Sequence, residues 1–311
     1  MALDSVQCYA RMHNYEFIVI DLKNFEYNKT RCAHPDILFK RHCILADYME
    51  KRSDLSYFLF IGADMGVVNP AHKIEEYIIP GIDLFFYYRI GLLKLTNGSF
   101  ITPSVQHNVT SINYWGPFDI MADSFILRNT NYTRTFLRYW ADSYYKVQYY
   151  AFFNDNPILH QVFMDYFAKD KDICFPLLMT AGTIIETYEW MACTNYVYGN
   201  NWTQEIFDDR VVIRKKYEKM WARDHGEYSI AKNKWSDRDF IAHGWKEQWR
   251  SNIDTWFPYK NAKYNFDLTL CGTKDALKNW HYPNGTRPEI KIEEAQLDKI
   301  LDGWVSDVHK F

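Results

Sequence analysis

Residues 55–70 read LSYFLFIGADMGVVNP, and this stretch decides the fold expected of the chain. The aromatic and aliphatic run from Tyr57 is typical of a buried strand, and it stops just before an acid, Asp64. Asn69 and Pro70 then predict a helix start, because asparagine is a favoured N-cap and proline suits the first helical position. Open α/β sheets bind ligands at the carboxyl ends of their strands, so Asp64 is a candidate Mg²⁺ or Mn²⁺ ligand. The alternative is that Asp64 caps the predicted helix.

Strand-like and helix-like segments alternate over the first half of the chain. Strands are predicted over residues 15–20, 57–61, 82–87 and 124–128. Helices are predicted over residues 2–11, from Pro35, over 70–77, from Asn131 to about Tyr149, and from Pro157. Strands that alternate with helices favour an α/β sheet covered on both faces.

The pattern changes in the last third of the sequence. After residue 198 polar residues and tryptophans dominate, and the polar tail ends in an amphipathic helix predicted over residues 289–304. We therefore predict one folded domain over residues 1–250. A C-terminal extension over residues 251–311 is expected to pack on its core.

The charge balance argues against nucleic acid and membrane surfaces as partners. The chain has 36 basic and 39 acidic residues, a net charge of −3, and no block of like charges. Nucleic acids and anionic membranes attract clusters of lysine and arginine. The sequence therefore predicts no nucleic-acid partner.

N-glycosylation sequons are the main indicator of compartment. Roughly two are expected by chance, and the chain has them at Asn28, Asn97, Asn108, Asn131, Asn201 and Asn284. The excess indicates the secretory pathway, with the Golgi lumen as the expected location. No signal peptide or membrane span is visible, so we expect a piece of a longer protein that reaches the membrane only through a segment absent from this chain.

The six cysteines leave two interpretations open. In an oxidising compartment they would form disulfides, in one of 15 complete pairings. The alternative is a set of buried free thiols.

A second candidate site lies at residues 241–249, IAHGWKEQW. The imidazole of His243 suits a metal ion, Gly244 allows close approach of the backbone to an anion, and Lys246 supplies a point charge for a phosphate. The alternative is an ordinary surface loop in which the lysine is solvated.

Two further polar motifs have simple structural explanations. In residues 154–157, NDNP, either Asp155 or Asn156 would be an N-cap with Pro157 at the first helical position. The neighbouring arginines and aspartates of residues 221–224 and 235–240 would form structural ion pairs, with a substrate contact as the alternative. Signatures of P-loop kinases, serine hydrolases and zincins do not occur.

Taken in order, these motifs resemble a known family. The matching segments are FLFIGADMGVVNP at 58–70, IEEYI at 74–78, SFILRNT at 124–130, YWAD at 139–142, DN at 155–156 with His160, WARD at 221–224 and RDFIAHGWK at 238–246. Together they resemble the nematode-expanded family of uncharacterised nucleotide-diphospho-sugar transferases, which is similar to retaining galactosyl-, mannosyl- and xylosyltransferases of the GT-A fold. The resemblance covers residues 2–250.

This resemblance implies a GT-A-like, Rossmann-like sheet flanked by helices. It also implies a metal-dependent glycosyltransferase that moves a hexose or pentose from a nucleotide-diphospho-sugar to a glycan acceptor, with retention of configuration. Mn²⁺ or Mg²⁺ would be the ion. The implied site residues are Asp64 and His243 on the metal, Gly244, Lys246 and Asp64 on the diphosphate donor, and Asp155 and Asn156 at the reacting carbon or acceptor hydroxyl.

Three features depart from the family pattern. An Asp-x-Asp motif is expected after the strand, yet its first position is Gly62. Pro157 stands where a glycine is expected, and the strand that precedes the first helix is missing from this chain. One alternative is therefore a degenerate transferase fold that binds glycans or a protein partner without catalysis. Another is a cytosolic protein whose sequons are accidental.

Overall fold

A computed structural model describes the chain over residues 2–89, 93–95, 100–101, 112–113, 119–147, 154–183, 186–187, 190–191, 193–194, 197, 206–214, 220–224, 236–244 and 266–280. The predicted boundary near residues 251–258, the predicted helix over 289–304 and Lys246 lie outside these ranges. The division into a domain and an extension stays a prediction.

The helices in this part of the chain are α1 (Ala2–His13), α2 (Ile37–Lys51), α3 (Asn131–Asp142), α4 (Tyr144–Val147), α5 (Asp155–Phe167) and α6 (Phe175–Thr180), with 3₁₀ turns at Ile74–Tyr77 and Ala276–Trp280. The strands are β1 (Tyr57–Ile61), β2 (Met65–Val67), β3 (Leu84–Arg89), β4 (Leu93–Leu95), β5 (Phe100–Ile101), β6 (Ile112–Asn113), β7 (Asp119–Ile120), β8 (Ser124–Arg128), β9 (Ile206–Phe207), β10 (Val211–Arg214), β11 (Ala222–Arg223) and β12 (Ile241–His243). The mixed α/β class predicted from the sequence is confirmed.

The main sheet has the strand order β1–β8–β3–β10–β9, and β7 pairs with β3. Strand β8 runs antiparallel to both β1 and β3, whereas β3 and β10 are parallel. Strands β1, β3 and β10 therefore point in one direction. Their carboxyl ends share an edge of the sheet with the amino end of β8.

A small sheet with the order β11–β12–β2 lies beside this edge. The outer side of β2 is covered by two side chains. Ser5 accepts a hydrogen bond from the backbone N–H of Val67 (3.0 Å), and the indole of Trp280 donates to the Val67 carbonyl (3.0 Å). These bonds satisfy backbone groups that an edge strand would otherwise leave open. A third sheet has the order β5–β4–β6.

Alternate side chains of the central strands pack on opposite faces of the main sheet, as the period of a strand requires. Leu84 and Phe86 join the apolar cluster formed with α2, α3 and α5. Phe85 and Tyr87 join a second cluster, with Trp221 and residues of α1, β2 and β12. Both faces are therefore buried, which explains the nearly continuous apolar sequence of β3.

Two of the predicted elements were wrong, the strand over residues 15–20 and the helix over residues 70–77. Residues 15–20 are not assigned to a strand, and Ile18 and Val19 are exposed, because the segment pairs with none of the described strands. The chain makes a turn at Pro70 and a 3₁₀ turn only at Ile74–Tyr77. The side chain of Asn69 accepts a hydrogen bond from the N–H of Ala71 (3.1 Å). Asn69 therefore stabilises a local turn and does not cap a helix.

The caps of two helices also differ from the predictions. Thr130, not Asn131, caps α3, and this helix ends at Asp142 instead of continuing to Tyr149. Asn154 caps α5 by accepting from the N–H of Asn156 (3.0 Å). Helix α5 therefore begins two residues before Pro157.

All six cysteines are paired, as Cys8–Cys271, Cys32–Cys43 and Cys174–Cys193. The first pair joins α1 to the segment at residues 266–280. In the described part of the chain, no helix has the length and apolar character needed to cross a membrane.

Candidate active site

Strand pairing in the main sheet brings two acids to one edge. Ile61 at the end of β1 pairs with Ser124 at the start of β8, and the ladder continues as the N–H of Gly62 donates to the carbonyl of Asp123 (2.7 Å). The turn that follows places Asp64 beside Asp123. The acid predicted from the strand end therefore lies where the parallel strands terminate, at the usual position of ligand sites in such sheets.

Strand pairing in the small sheet delivers the imidazole. His243 pairs with Met65 across β12 and β2, and the N–H of Gly244 donates to the carbonyl of Asp64 (2.9 Å). Gly244 adopts a φ of 102°, a conformation that favours glycine. Asp224 follows β11, which is parallel to β12, and so reaches the other side of the His243 ring.

His243 lies between three carboxylates. Its Nε2 is 3.5 Å from Asp64 Oδ2 and 3.9 Å from Asp123 Oδ2, and its Nδ1 donates to Asp224 Oδ1 (3.1 Å). The His243 side chain is 10% exposed, whereas the side chain of Asp123 is 32% exposed, so the cluster is open to solvent on the Asp123 side. Residues separated by 179 positions in the sequence thus form one charged group.

The pKa values in this cluster are set by charge. Burial favours the neutral ring of His243, but the negative charges of Asp224 and then Asp64 outweigh burial and raise its pKa to about 10. Burial would likewise raise the pKa of Asp123. The positive charges of Arg41 and His243 outweigh that effect and hold the pKa of this carboxyl below its ordinary value.

Arg41 connects this cluster to the start of α5. The guanidinium donates to Asp123 Oδ1 (2.5 Å) and to Asp155 Oδ2 (2.6 Å). Asp155 Oδ2 also accepts from Nε2 of His42 (2.8 Å), and its side chain is only 3% exposed. The structure therefore places Asp155 behind Arg41, with its carboxylate engaged by two cationic or donor side chains.

The remaining predicted site residues lie in different surroundings. Asn156 accepts from the N–H of Ala122 (2.9 Å) and donates to Asp119, so it ties α5 to the segment before β8. Arg223 forms a buried ion pair with Asp239 (2.8 Å), which agrees with the structural interpretation of that motif. Of the predicted set, the structure brings together Asp64, His243 and Gly244.

Sequence reasoning missed Asp123 and Arg41. Asp123 directly precedes a strand whose bounds were predicted, but strand order was needed to place it opposite Gly62. Arg41 stands on the apolar face of α2, and a charged residue in such a row is a signal that a buried partner exists. Asp224 was predicted to belong to a structural ion pair, and the structure places its carboxylate 3.1 Å from Nδ1 of His243.

The donor set suits a divalent cation. Within the described ranges, however, no group of three or more histidine, cysteine, aspartate or glutamate side chains has the geometry to hold a metal ion as it stands. Ligands of a cation with bonds of about 2.1 Å lie roughly 3.0–4.2 Å from each other, and the two gaps from His243 Nε2, 3.5 and 3.9 Å, fall in this range. Two carboxylates and an imidazole fit Mn²⁺ or Mg²⁺ on the oxygen side, and the nitrogen favours a transition ion such as Mn²⁺.

Comparison with known proteins identifies the family. A solved structure of a glycosyltransferase involved in the glycosylation of the major capsid of PBCV-1 is similar over 78% of this chain and 84% of its own, with 12% identity and a TM-score of 0.40. No curated protein matches the sequence. The model of the family DUF273, described as proteins of unknown function, matches residues 6–119 and 104–256. This chain is a member of the DUF273 family.

Proposed function

We propose that this protein is a metal-dependent glycosyltransferase of the GT-A type. In this proposal it moves a hexose or pentose from a nucleotide-diphospho-sugar to a glycan acceptor, with retention, in the lumen of the secretory pathway. The ordered sequence motifs support the proposal. The observation that carries it is the convergence of Asp64, Asp123 and His243 at the edge where strands β1, β3 and β10 terminate.

The proposed chemistry assigns these three side chains to the cation, which would displace the proton from Nε2 of His243, because a ligating imidazole is neutral. A bound Mn²⁺ would neutralise the charge that develops on the departing diphosphate. Asp224 holds the His243 ring by its Nδ1 and leaves Nε2 directed at the two acids. A hydrogen bond of this kind to the second ring nitrogen fixes the orientation of a ligating histidine.

The surrounding residues would position the donor. The backbone N–H of Gly244 donates to the carbonyl of Asp64, so Gly244 lies beside the proposed cation site. We propose that Lys246 neutralises the diphosphate. Asp155 and Asn156 are proposed to serve the reacting-carbon side, Asp155 through its salt bridge to Arg41.

The test is hydrolysis of UDP- and GDP-sugars by the purified chain with and without Mn²⁺. We expect nucleotide release that EDTA abolishes, and a loss of about 100-fold or more in kcat/KM for Asp64→Asn. Asp54→Asn is the matched control, because Asp54 is 62% exposed and pairs only at the surface with Arg52.

Absence of turnover with every donor would overturn the proposed catalysis. Micromolar binding of Mn²⁺ and nucleotide-sugar without turnover would instead support the alternative, a degenerate transferase that binds its ligands without chemistry. The reason for this alternative is Gly62, which stands at the first acidic position of the Asp-x-Asp motif.

A further inference from the structure

Gly62 and Asp123 occupy opposite positions on neighbouring strands. The Ile61–Ser124 pair is followed by the hydrogen bond from Gly62 N–H to the Asp123 carbonyl. Side chains of directly opposed residues in an antiparallel pair project from the same face of the sheet. A carboxylate on residue 123 therefore extends over the same face as a carboxylate on residue 62 would.

The space that a side chain on residue 62 would need is partly taken. A Cβ atom built on Gly62 would lie 3.2 Å from Asp64 Oδ1, 3.4 Å from Asp123 Cβ and 3.6 Å from Asp123 Cγ. The 3.2 Å contact requires the Asp64 carboxylate to move by a few tenths of an ångström, whereas the two contacts with Asp123 are ordinary van der Waals distances. The glycine leaves room for the side chain of Asp123 to lie against Asp64.

We propose that Asp123 supplies, from strand β8, the carboxylate that the degenerate Asp-x-Asp motif lacks at residue 62. This inference rests on the proposed function, since it assigns Asp123 to the same cation. The carboxylate is carried by the residue before β8 and not by the residue after β1, but it lies at the same edge of the sheet. The motif that looks half lost in sequence is complete in three dimensions.

Arg41 holds Asp123 in the orientation that this role requires. One carboxylate oxygen, Oδ1, accepts from Arg41 Nη1, while the other, Oδ2, lies 3.9 Å from His243 Nε2. The guanidinium also donates to the carbonyl of Ala122 (3.2 Å), which fixes the backbone on the other side of Asp123. One oxygen is thereby left to face Asp64 and His243.

This arrangement makes a prediction that sequence reasoning alone would reverse. Restoring the first acid with Gly62→Asp looks like a repair, yet it would crowd Asp64 and Asp123 and weaken cation binding. Moving the acid, with Gly62→Asp together with Asp123→Gly, removes the contacts with the side chain of residue 123, leaves only the Asp64 carboxylate to adjust, and returns the second carboxylate. Arg41 keeps Asp155 as a partner in that double variant.

The experiment is a calorimetric titration of Mn²⁺ alone into the full chain. Asp123→Asn retains an oxygen acceptor for Arg41 and removes only the charge, and it is expected to weaken Mn²⁺ binding at least about tenfold. Gly62→Asp is expected to weaken it as well, and the double variant to recover to within about threefold of the wild type. Asp54→Asn is the control, and thermal unfolding of each variant verifies the fold.

The outcomes separate this inference from the proposed function. If Asp123→Asn binds Mn²⁺ with wild-type affinity, the role of Asp123 is overturned. The same holds if Gly62→Asp binds Mn²⁺ more tightly and the double variant shows no further gain. In either case the cation would be held by Asp64 and His243. A wild-type chain that binds no Mn²⁺ would overturn both. If Asp123→Asn fails to fold, Asp123→Ser and the double variant give the same comparison.

Discussion

His42 and His243 are both largely buried and both contact aspartate, yet their protonation is opposite. Burial lowers the pKa of His42 to about 4, although Asp155 works against it. The charges of Asp224 and Asp64 raise the pKa of His243 to about 10 against the same effect of burial. The difference lies in the neighbours, because Arg41 already neutralises Asp155. Burial therefore decides the charge of His42, whose acidic partner is shared with a cation, but not that of His243.

We call the buried group around His42, Asp155 and Trp140 the structural cluster, although Arg41 links its Asp155 to the proposed site. We call the group of His243 with Asp64, Asp123 and Asp224 the functional cluster. His42 stacks on Trp140 with ring centroids 3.5 Å apart, and the indole of Trp140 donates to the carbonyl of Asp155 (2.9 Å). This cluster is closed and apolar on its outside. The His243 cluster holds several acids next to solvent. The cation of our proposal belongs to the second cluster, whereas the acid of the first is already paired with Arg41.

The largest expected effect comes from breaking the structural cluster at its cation. Arg41→Met would leave Asp155 buried with its charge uncompensated, and loss of one member of such a pair costs about 3–5 kcal/mol of unfolding free energy. Urea unfolding at pH 7 measures this. Arg52→Met is the control, because its partners Glu16 and Asp54 are surface groups, and it should cost less than about 1 kcal/mol. Equal losses in the two variants would contradict the assignment.

Acid should destabilise the protein through His42. The unfolded chain binds a proton at a pKa near 6.5 and the folded chain only near 4, so stability is lost as the pH falls from about 6.5 to 4. The expected loss attributable to this ring is about 3 kcal/mol. Urea unfolding of wild type and His42→Gln at pH 7 and pH 4.5 isolates it. An identical pH dependence in the two proteins would show that His42 does not stay neutral.

Asp224→Asn addresses the functional cluster with a smaller effect. The amide keeps a polar group beside His243 and removes the charge that orients and polarises the ring. Loss of such a partner typically weakens metal affinity 10–100-fold. Calorimetry with Mn²⁺ measures this change. The loss of unfolding free energy in Asp224→Asn should be smaller than the loss in Arg41→Met. A large loss of stability with unchanged Mn²⁺ affinity would reverse the distinction between the clusters.

A third histidine gives the smallest expected effect. His72 is partly exposed and pairs with Glu76 four residues along the chain (2.9 Å). Exposed ion pairs of this kind contribute less than about 1 kcal/mol. His72→Ala should therefore unfold close to the wild type in urea. A loss of unfolding free energy comparable to that of Arg41→Met would show that the exposure of a side chain does not predict its contribution to stability in this molecule.

The elements that were predicted well are those whose signal is local. The aromatic run of β1 and the run SFILR of β8 are strands with the predicted bounds, because their apolar residues belong to one continuous segment. The helix predicted from Pro70 failed, since Asn69 satisfies a turn as readily as a cap and also donates to the carbonyl of Asp237 (2.5 Å). That partner is 168 residues away and invisible in the local pattern.

The amino-acid sequence by itself determined the mixed α/β class, the strand that precedes Asp64 and the two segments that meet at the site. These follow from apolar periodicity and from short motifs, which neighbouring residues specify. Only the tertiary structure decided that Asp123 lies opposite Gly62, that Arg41 is shared between two acids, and that His42 is neutral while His243 is charged. Strand order, register and burial arise from contacts between residues far apart in the chain, and the electrostatics of the site depends on all three.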